Sequence, residues 1–281
     1  MASLRALGFV IIALFCSRAL AATISHNLAT EPKEAYVLGA LKLALAYSGT
    51  DTFVPTSTFL EQGRLVEELK SGAISVMWAG TQPQYEEELR PIHFPVLKGL
   101  LGYRIFIIRA GDQHRFSQVN TFDQLKRLTA GQGAFWADTE ILRSAGIPVI
   151  TSVKYPGLFH MLDGGRFDYF PRGAHEPWSE LVNNRTLPLE VEKELCVYYP
   201  LPMYFFVARN NEALAKRIED GLEQALTDGS FDRYFFANPT IQDVLSKANL
   251  QQRRQFRITN PSLSPQTPLD RSELWFDPSR M

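Results

Sequence analysis

Ten residues, Gly164–Gly173 (Gly-Gly-Arg-Phe-Asp-Tyr-Phe-Pro-Arg-Gly), constrain this chain more than any other stretch. A helix-like run, Pro156–Leu162, stops at two glycines, which end helices in the left-handed conformation without a Cβ clash. A short aromatic strand is expected at Phe167–Phe170, ended by Pro171, with Arg172 just beyond it. Side chains past the carboxyl end of such a strand stand where open α/β sheets bind ligands. The same grammar occurs earlier: Leu65–Lys70 is helical, Gly72 breaks it, and Ala73–Ala79 runs as a strand into Gly80-Thr81. One chain thus builds the same helix–glycine–strand unit around residue 72 and again around residue 164.

The first residues read as an export signal. Arg5 supplies a positive start, Gly8–Phe15 is apolar, and Ala19-Leu20-Ala21 suits cleavage between small residues. The apolar run is too short for a membrane-spanning helix, which needs about 20 residues. Phe15 before Cys16 argues against a lipoprotein signal. Cleavage after Ala21 leaves residues 22–281 with Cys196 as the single cysteine, so no internal disulfide is expected. The formal charge of the whole chain is −1, and losing Arg5 and Arg18 makes it more negative, which argues against nucleic acid as a partner.

Along the chain, strands are expected at Ala22–His26, Phe53–Pro55 and Ile74–Trp78, separated by an apolar helix that ends at Gly49 and by a helix over Leu60–Lys70. Thr30 is read as an N-cap, with Pro32 just inside the first helix. After a segment flanked by Gly99 and Gly102, a second set follows: strand Ile105–Arg109, a helix capped by Thr121, strand Gly133–Trp136, a helix capped by Asp138 or Thr139, strand Val149–Ser152, helix Pro156–Leu162 and strand Phe167–Phe170. The first set reads β-α-β-α-β, and the second repeats that order from Gly133–Trp136 to Phe167–Phe170, the pattern of a parallel α/β sheet. Pro200 and Pro202 around a β-prone run suit a second crossing, and Asn211–Thr227 carries Leu214, Ile218, Leu222 and Leu226 at helical spacing. The tail Asn260–Met281 has no period, but Leu274-Trp275-Phe276 should hold it against the body.

Export signal, two β-α-β-α-β sets, crossings near residues 102 and 202, and the Gly164–Asp168 segment together resemble the extracytoplasmic solute-binding proteins of bacterial ABC importers. The likeness is to the small type II class of amino-acid binders, family 3, and spans Ala22 to Leu250. It implies an α/β fold of Venus-flytrap form: residues 22–102 with 203–281 in one lobe, 103–202 in the other, and two hinge crossings that let the lobes close on a solute. It also implies a periplasmic binder of a small solute, working as a monomer with an ABC permease or a membrane sensor. Family members hold the ligand carboxylate with an arginine a few residues after the strand-to-Thr segment, and the ligand amine with an aspartate about five residues after the Gly-Arg-x-Asp acid. This chain departs at both places: Gln82-Pro83-Gln84-Tyr85-Glu86-Glu87-Glu88 follows Thr81, and Gly173, preceded by Arg172, follows Asp168. The inversion suggests an acidic or aromatic solute in place of an ordinary α-amino acid.

Six residues are the candidate ligand contacts. Arg172 offers a planar, permanently charged fork for a carboxylate or phosphate, against the alternative of a surface arginine paired with Glu176. Trp78 and Trp136 could face one another across the cleft, or be core. Thr81 follows Gly80, where backbone can approach a ligand; Thr139, beside Asp138, opens a helix whose amides could hold an anion, or simply caps it. Asn27, beside His26, ends the first strand and is a ligand contact or a turn residue. Glu86-Glu87-Glu88 is read as a solvated helix start before an amine site. The five histidines show no zinc spacing, Cys196 has no nucleophile signature, and no phosphate loop or Gly-x-Ser-x-Gly elbow occurs, so no metal or cofactor is expected. The alternative to a binding module is an enzyme on the same fold, dehydratase-like on a small carboxylic acid, with a carboxylate from Glu86, Glu87, Glu88, Asp138 or Glu140. For the binding module, losing Arg172 should abolish binding and leave melting nearly unchanged.

Overall fold

The computed structural model describes residues 22–280; the expected export signal, residues 1–21, lies outside them. The chain opens with β1 (Thr23–His26), α1 (Pro32–Ala46), β2 (Thr52–Pro55), α2 (Gln62–Ser71), β3 (Met77–Gly80), α3 (Pro83–Glu88) and β4 (Leu89–Ile92). A 3-10 turn at Leu100–Gly102 leads into β5 (Tyr103–Arg109), then α4 (Gln113–Ser117), α5 (Phe122–Leu125), β6 (Ala130–Gly133), α6 (Ala137–Ser144), β7 (Val149–Ser152), α7 (Tyr155–Asp163), β8 (Phe170–Gly173), α8 (Pro177–Asn183), β9 (Leu189–Val191) and β10 (Leu195–Tyr198). After the return through β11 (Met203–Ala208) come α9 (Glu212–Thr227), α10 (Ser230–Ala237), α11 (Pro239–Asp243) and β12 (Arg254–Arg257).

The strands sort into two lobes. In the first, β1 and β2 pair in parallel, residues 75 and 76 bond back to Ser25, and β11 runs antiparallel between β3 and β4. In the second, β6 and β7 pair in parallel, and β5 is the antiparallel centre for β8, β9 and β10. The parallel pairs follow the expected pattern. The antiparallel β11 and β5 are the strands that enter each lobe from the crossings. Residues 254–257, expected with the first lobe, instead form β12 at the edge of the second lobe's sheet, in parallel with β10.

Local chemistry explains the element ends. Gly72 (φ 78°) and Gly165 (φ 70°) stop α2 and α7 in the left-handed region. Thr121 makes a full capping box with Gln124, and the Asn211 side chain caps α9 at Leu214. Thr30 is not the cap of α1: Glu31 holds that position, with Pro32 in the first turn. Nor do Asp138 or Thr139 cap α6, whose N-cap is Trp136, because β6 ends at Gly133, three residues before the expected end.

The strand after Gly164-Gly165 also starts late. Residues 164–168 form a bend tied down through Asp168, which accepts from the Thr129 amide (2.8 Å) and the Arg115 guanidinium (2.7 Å). The strand is therefore β8, Phe170–Gly173, and runs through Pro171 rather than ending there. Tyr169 bridges Ala130 in parallel, with bonds Tyr169 N to Thr129 O and Gly131 N to Tyr169 O. The next rung would need the N–H that Pro171 lacks, so the β6 ladder stops while the β5 ladder continues.

The two crossings touch. The Tyr199 amide donates to Gly102 O (3.2 Å), and a Cβ on residue 102 would lie 2.1 Å from the Tyr199 carbonyl oxygen, so only glycine fits there. The tail packs as expected: Leu274 and Phe276 are buried, and the Phe276 amide bonds to Lys98 O. Cys196 is buried, and burial pushes its thiol up to about 12, which keeps it protonated and inert.

Candidate ligand cleft between the lobes

A cavity of about 390 Å³ opens between the lobes, within the range of small-molecule sites. The first lobe contributes Asn27, the first turn of α1 (Glu31, Lys33, Glu34), the loop Phe59–Gln62 and Trp78. The second contributes Arg104, Trp136, Asp138, Tyr155, Arg172 and Glu176. Four of the six sequence candidates, Asn27, Trp78, Trp136 and Arg172, thus reach one cavity.

Thr81 and Thr139 do not reach it. Thr81 is 1% exposed and donates to Glu86 Oε1 (2.5 Å), whose other oxygen faces His93 Nε2 (3.4 Å). Thr139 turns back to Gly133 O (2.8 Å). Asn27 shapes the wall more than it offers groups to a ligand. Its Oδ1 accepts from the Leu28 and Leu60 amides and its Nδ2 donates to Leu60 O, which clamps the loop that carries Phe59. His26 packs beside Trp78 and is buried outside the cavity.

The second wall is a self-neutralised charge network. Arg172 lies within β8, is 3% exposed, and spends Nε and Nη2 on Glu180 (2.9 and 2.6 Å) and Nη2 again on Glu176 (2.7 Å). Its guanidinium sits 4.8 Å from the Trp136 ring centroid and 4.7 Å from that of Phe170. The pairing with Glu176 is therefore real but buried, not on the surface. Burial alone would raise the Glu180 carboxyl; Arg172 and Lys33 outweigh it and hold the group well below the usual carboxylate range. Glu176 is shifted down for the same reason, burial opposed chiefly by Arg172. Arg104, 1% exposed, stands 2.6 Å from Asp138, which also accepts from the Tyr199 hydroxyl. Beside this network His175 is buried with Nδ1 unpartnered, and desolvation pulls its imidazole down to about 4.

Lys33 crosses from the first lobe into that network. Its Nζ donates to Glu180 Oε1 (2.8 Å) and Tyr155 OH (3.0 Å), lies 3.2 Å from Glu31, and sits 4.6 Å from the Tyr155 ring centroid. Burial would lower this ammonium, but Glu180, Tyr155 and Glu176 more than offset it and raise it well above its ordinary value. Glu34 is different: its carboxylate accepts from the Trp78 indole (2.5 Å), and desolvation raises its pKa against the pull of Lys33 and Trp78.

Lys33, Glu34, Arg104, Tyr155 and Glu180 were not among the sequence candidates. The first two carried a signal, since charged residues at the start of an otherwise apolar helix need a reason to be there. Of the carboxylates considered for catalysis, Asp138 lines the cavity, whereas Glu86 is tied to Thr81 and Glu88 to Lys70 (2.8 Å), and Glu87 and Glu140 are exposed.

No protein-family model matches the chain, and no curated protein does. Solved structures resemble it over about four fifths of its length. An ancestral arginine-binding protein bound to arginine aligns with a TM-score of 0.57 at 16% identity, over 79% of this chain and 99% of that one. A histidine kinase sensor domain with similarity to periplasmic binding proteins gives 0.55 at 15% identity, over 79% and 97%. An ancestral amino-acid-binding protein that is a precursor of cyclohexadienyl dehydratase gives 0.53 at 13% identity, over 79% and 96%. At these identities the likeness establishes the fold: the chain has the two-lobe α/β architecture of the periplasmic amino-acid-binding proteins.

Proposed function

We propose that the chain is an extracytoplasmic solute-binding module that closes its two lobes over one small molecule. Residues 1–21 export it to the bacterial periplasm. Residues 22–102 with 203–281, apart from β12, form the first moving body, and 103–202 with β12 the second, with the Gly102–Tyr199 contact at the pivot. The observation that carries this reading is one cavity walled by both lobes, with Trp78 on one side and Trp136 on the other, over a floor of buried charge. The solute passes to an ABC permease or is presented to a membrane sensor, and the binder works as a monomer without metal or cofactor. The resemblance to a sensor domain keeps both destinations in the proposal.

A second reading, a dehydratase-type enzyme on a small carboxylic acid, is favoured by one observation: Glu34 is a cavity carboxyl with a raised pKa, the property of a general acid. Scattering on the full chain during titration with a fractionated small-molecule extract separates the readings. Binding gives a fall in radius of gyration and returns the solute chemically unchanged. A fall accompanied by conversion of the solute favours the enzyme. No compaction with any fraction overturns solute binding.

A further inference from the structure

We infer that the solute of this cleft is an organic cation without a carboxylate: an amine, guanidine or quaternary ammonium with an apolar or aromatic body. This deepens the proposed function and rests on it. The first observation is that every cation at the cavity already has an anionic partner. Arg172 is spent on Glu180 and Glu176, Lys33 on Glu180 and Tyr155, and Arg104 is ion-paired with Asp138 (2.6 Å) and Glu176 (3.6 Å), its Nε and Nη2 making no hydrogen bond. A carboxylate brought into this cleft would have to break a buried pair or remain unpaired, and either course is costly.

The second observation is the sign of what remains. Five carboxylates line the cavity against three cations, and Glu180 stands directly behind them. On the first wall Glu34 is held at the edge of the Trp78 ring by its indole N–H and not by a cation's hydrogen bond; the Phe59 ring that lines the same cavity is half exposed. An acidic group and aromatic rings lining one cleft are an arrangement that attracts an organic cation. The third observation is that the protein already seats an ammonium in this way. Lys33 Nζ rests between Glu180, Glu31 and the Tyr155 ring, so one cation of the class is shown in place, supplied by the chain itself. Desolvation shifts the Glu34 carboxyl upward, and a cation arriving beside it favours the charged form.

The test is calorimetric titration of the full chain with matched pairs that differ only by a carboxylate: agmatine against arginine, tyramine against tyrosine, tryptamine against tryptophan. At least one decarboxylated member should bind at least about tenfold more tightly than its parent, the cost of about 1.4 kcal/mol or more for an unpaired charge. Glu34→Gln should weaken that binding at least about tenfold, while keeping an acceptor for Trp78 and an unchanged melting curve. A parent amino acid that binds as well as its amine overturns the inference, as does failure of every amine in the panel. If an anionic or zwitterionic solute from the extract still compacts the protein, the inference falls and solute binding stands. If nothing compacts it, both fall.

Discussion

The two walls of the cleft are made of similar residue types and do different work. The second-lobe wall holds Arg172, Glu176, Glu180, Arg104 and Asp138, all buried and each ion-paired with another member, Arg104 alone keeping Nε and Nη2 without a hydrogen bond. The first-lobe wall holds Glu31, Glu34, Glu61 and Phe59, all partly open, on a helix start and a loop clamped by Asn27. Charge that is already paired gives shape and rigidity; charge left facing an opening gives recognition. The difference teaches that an arginine at a cleft wall is an anchor for ligand only if its own neighbours leave it free, and here they do not.

The comparison can be broken in several ways, the largest first. Arg172→Ala leaves Glu176 and Glu180 buried without their guanidinium and should cost about 3–5 kcal/mol in denaturant unfolding. A variant that unfolds like the parent would contradict the idea of a self-neutralised wall, and it replaces the expectation that this change spares melting. Lys33→Met removes the tie between the walls but leaves Glu180 paired with Arg172. Its cost should be smaller, about 1.5–3 kcal/mol for bonds to a charged group, with a larger radius of gyration for the free protein.

The next test is pH. The folded His175 imidazole is pulled down to about 4 by burial, below its ordinary 6.5. Between those values the unfolded chain binds the extra proton, so this contribution is full above pH 6.5 and is lost as pH falls towards 4. Melting midpoints should drop through that window, and His175→Gln should flatten the slope by up to about 1.4 kcal/mol per pH unit. The depressed Glu176 and Glu180 act lower: their contribution is present above the ordinary carboxylate range and fades as pH falls below about 4.3. The smallest stability effect belongs to Glu34→Gln on the open wall, within about 0.5 kcal/mol.

Much of the fold was legible from local chemistry. Glycine stops, the Thr121 cap, the amphipathic helix after Asn211, the Met203–Ala208 strand and the buried Leu274 and Phe276 of the tail are short-range features. The strand ends were less so. The Phe167–Phe170 pattern is as aromatic as a strand, but the Asp168 contacts to Thr129 and Arg115 bend it, and register moves three residues on. Trp78, Trp136, Asn27 and Arg172 were found at the cleft because sheet edges are predictable from strand order. Thr81 and Thr139 have closer partners than any ligand, Glu86 and Gly133, and a one-dimensional pattern does not weigh such competition. Lys33 meets Glu180 across 147 positions, a pairing that no local signal encodes.

The most direct test of the central claim is native mass spectrometry of the protein after incubation in the small-molecule fraction of a cell extract. The account predicts a one-to-one complex with a single small solute that is released intact on unfolding. A bare polypeptide mass after that incubation contradicts it.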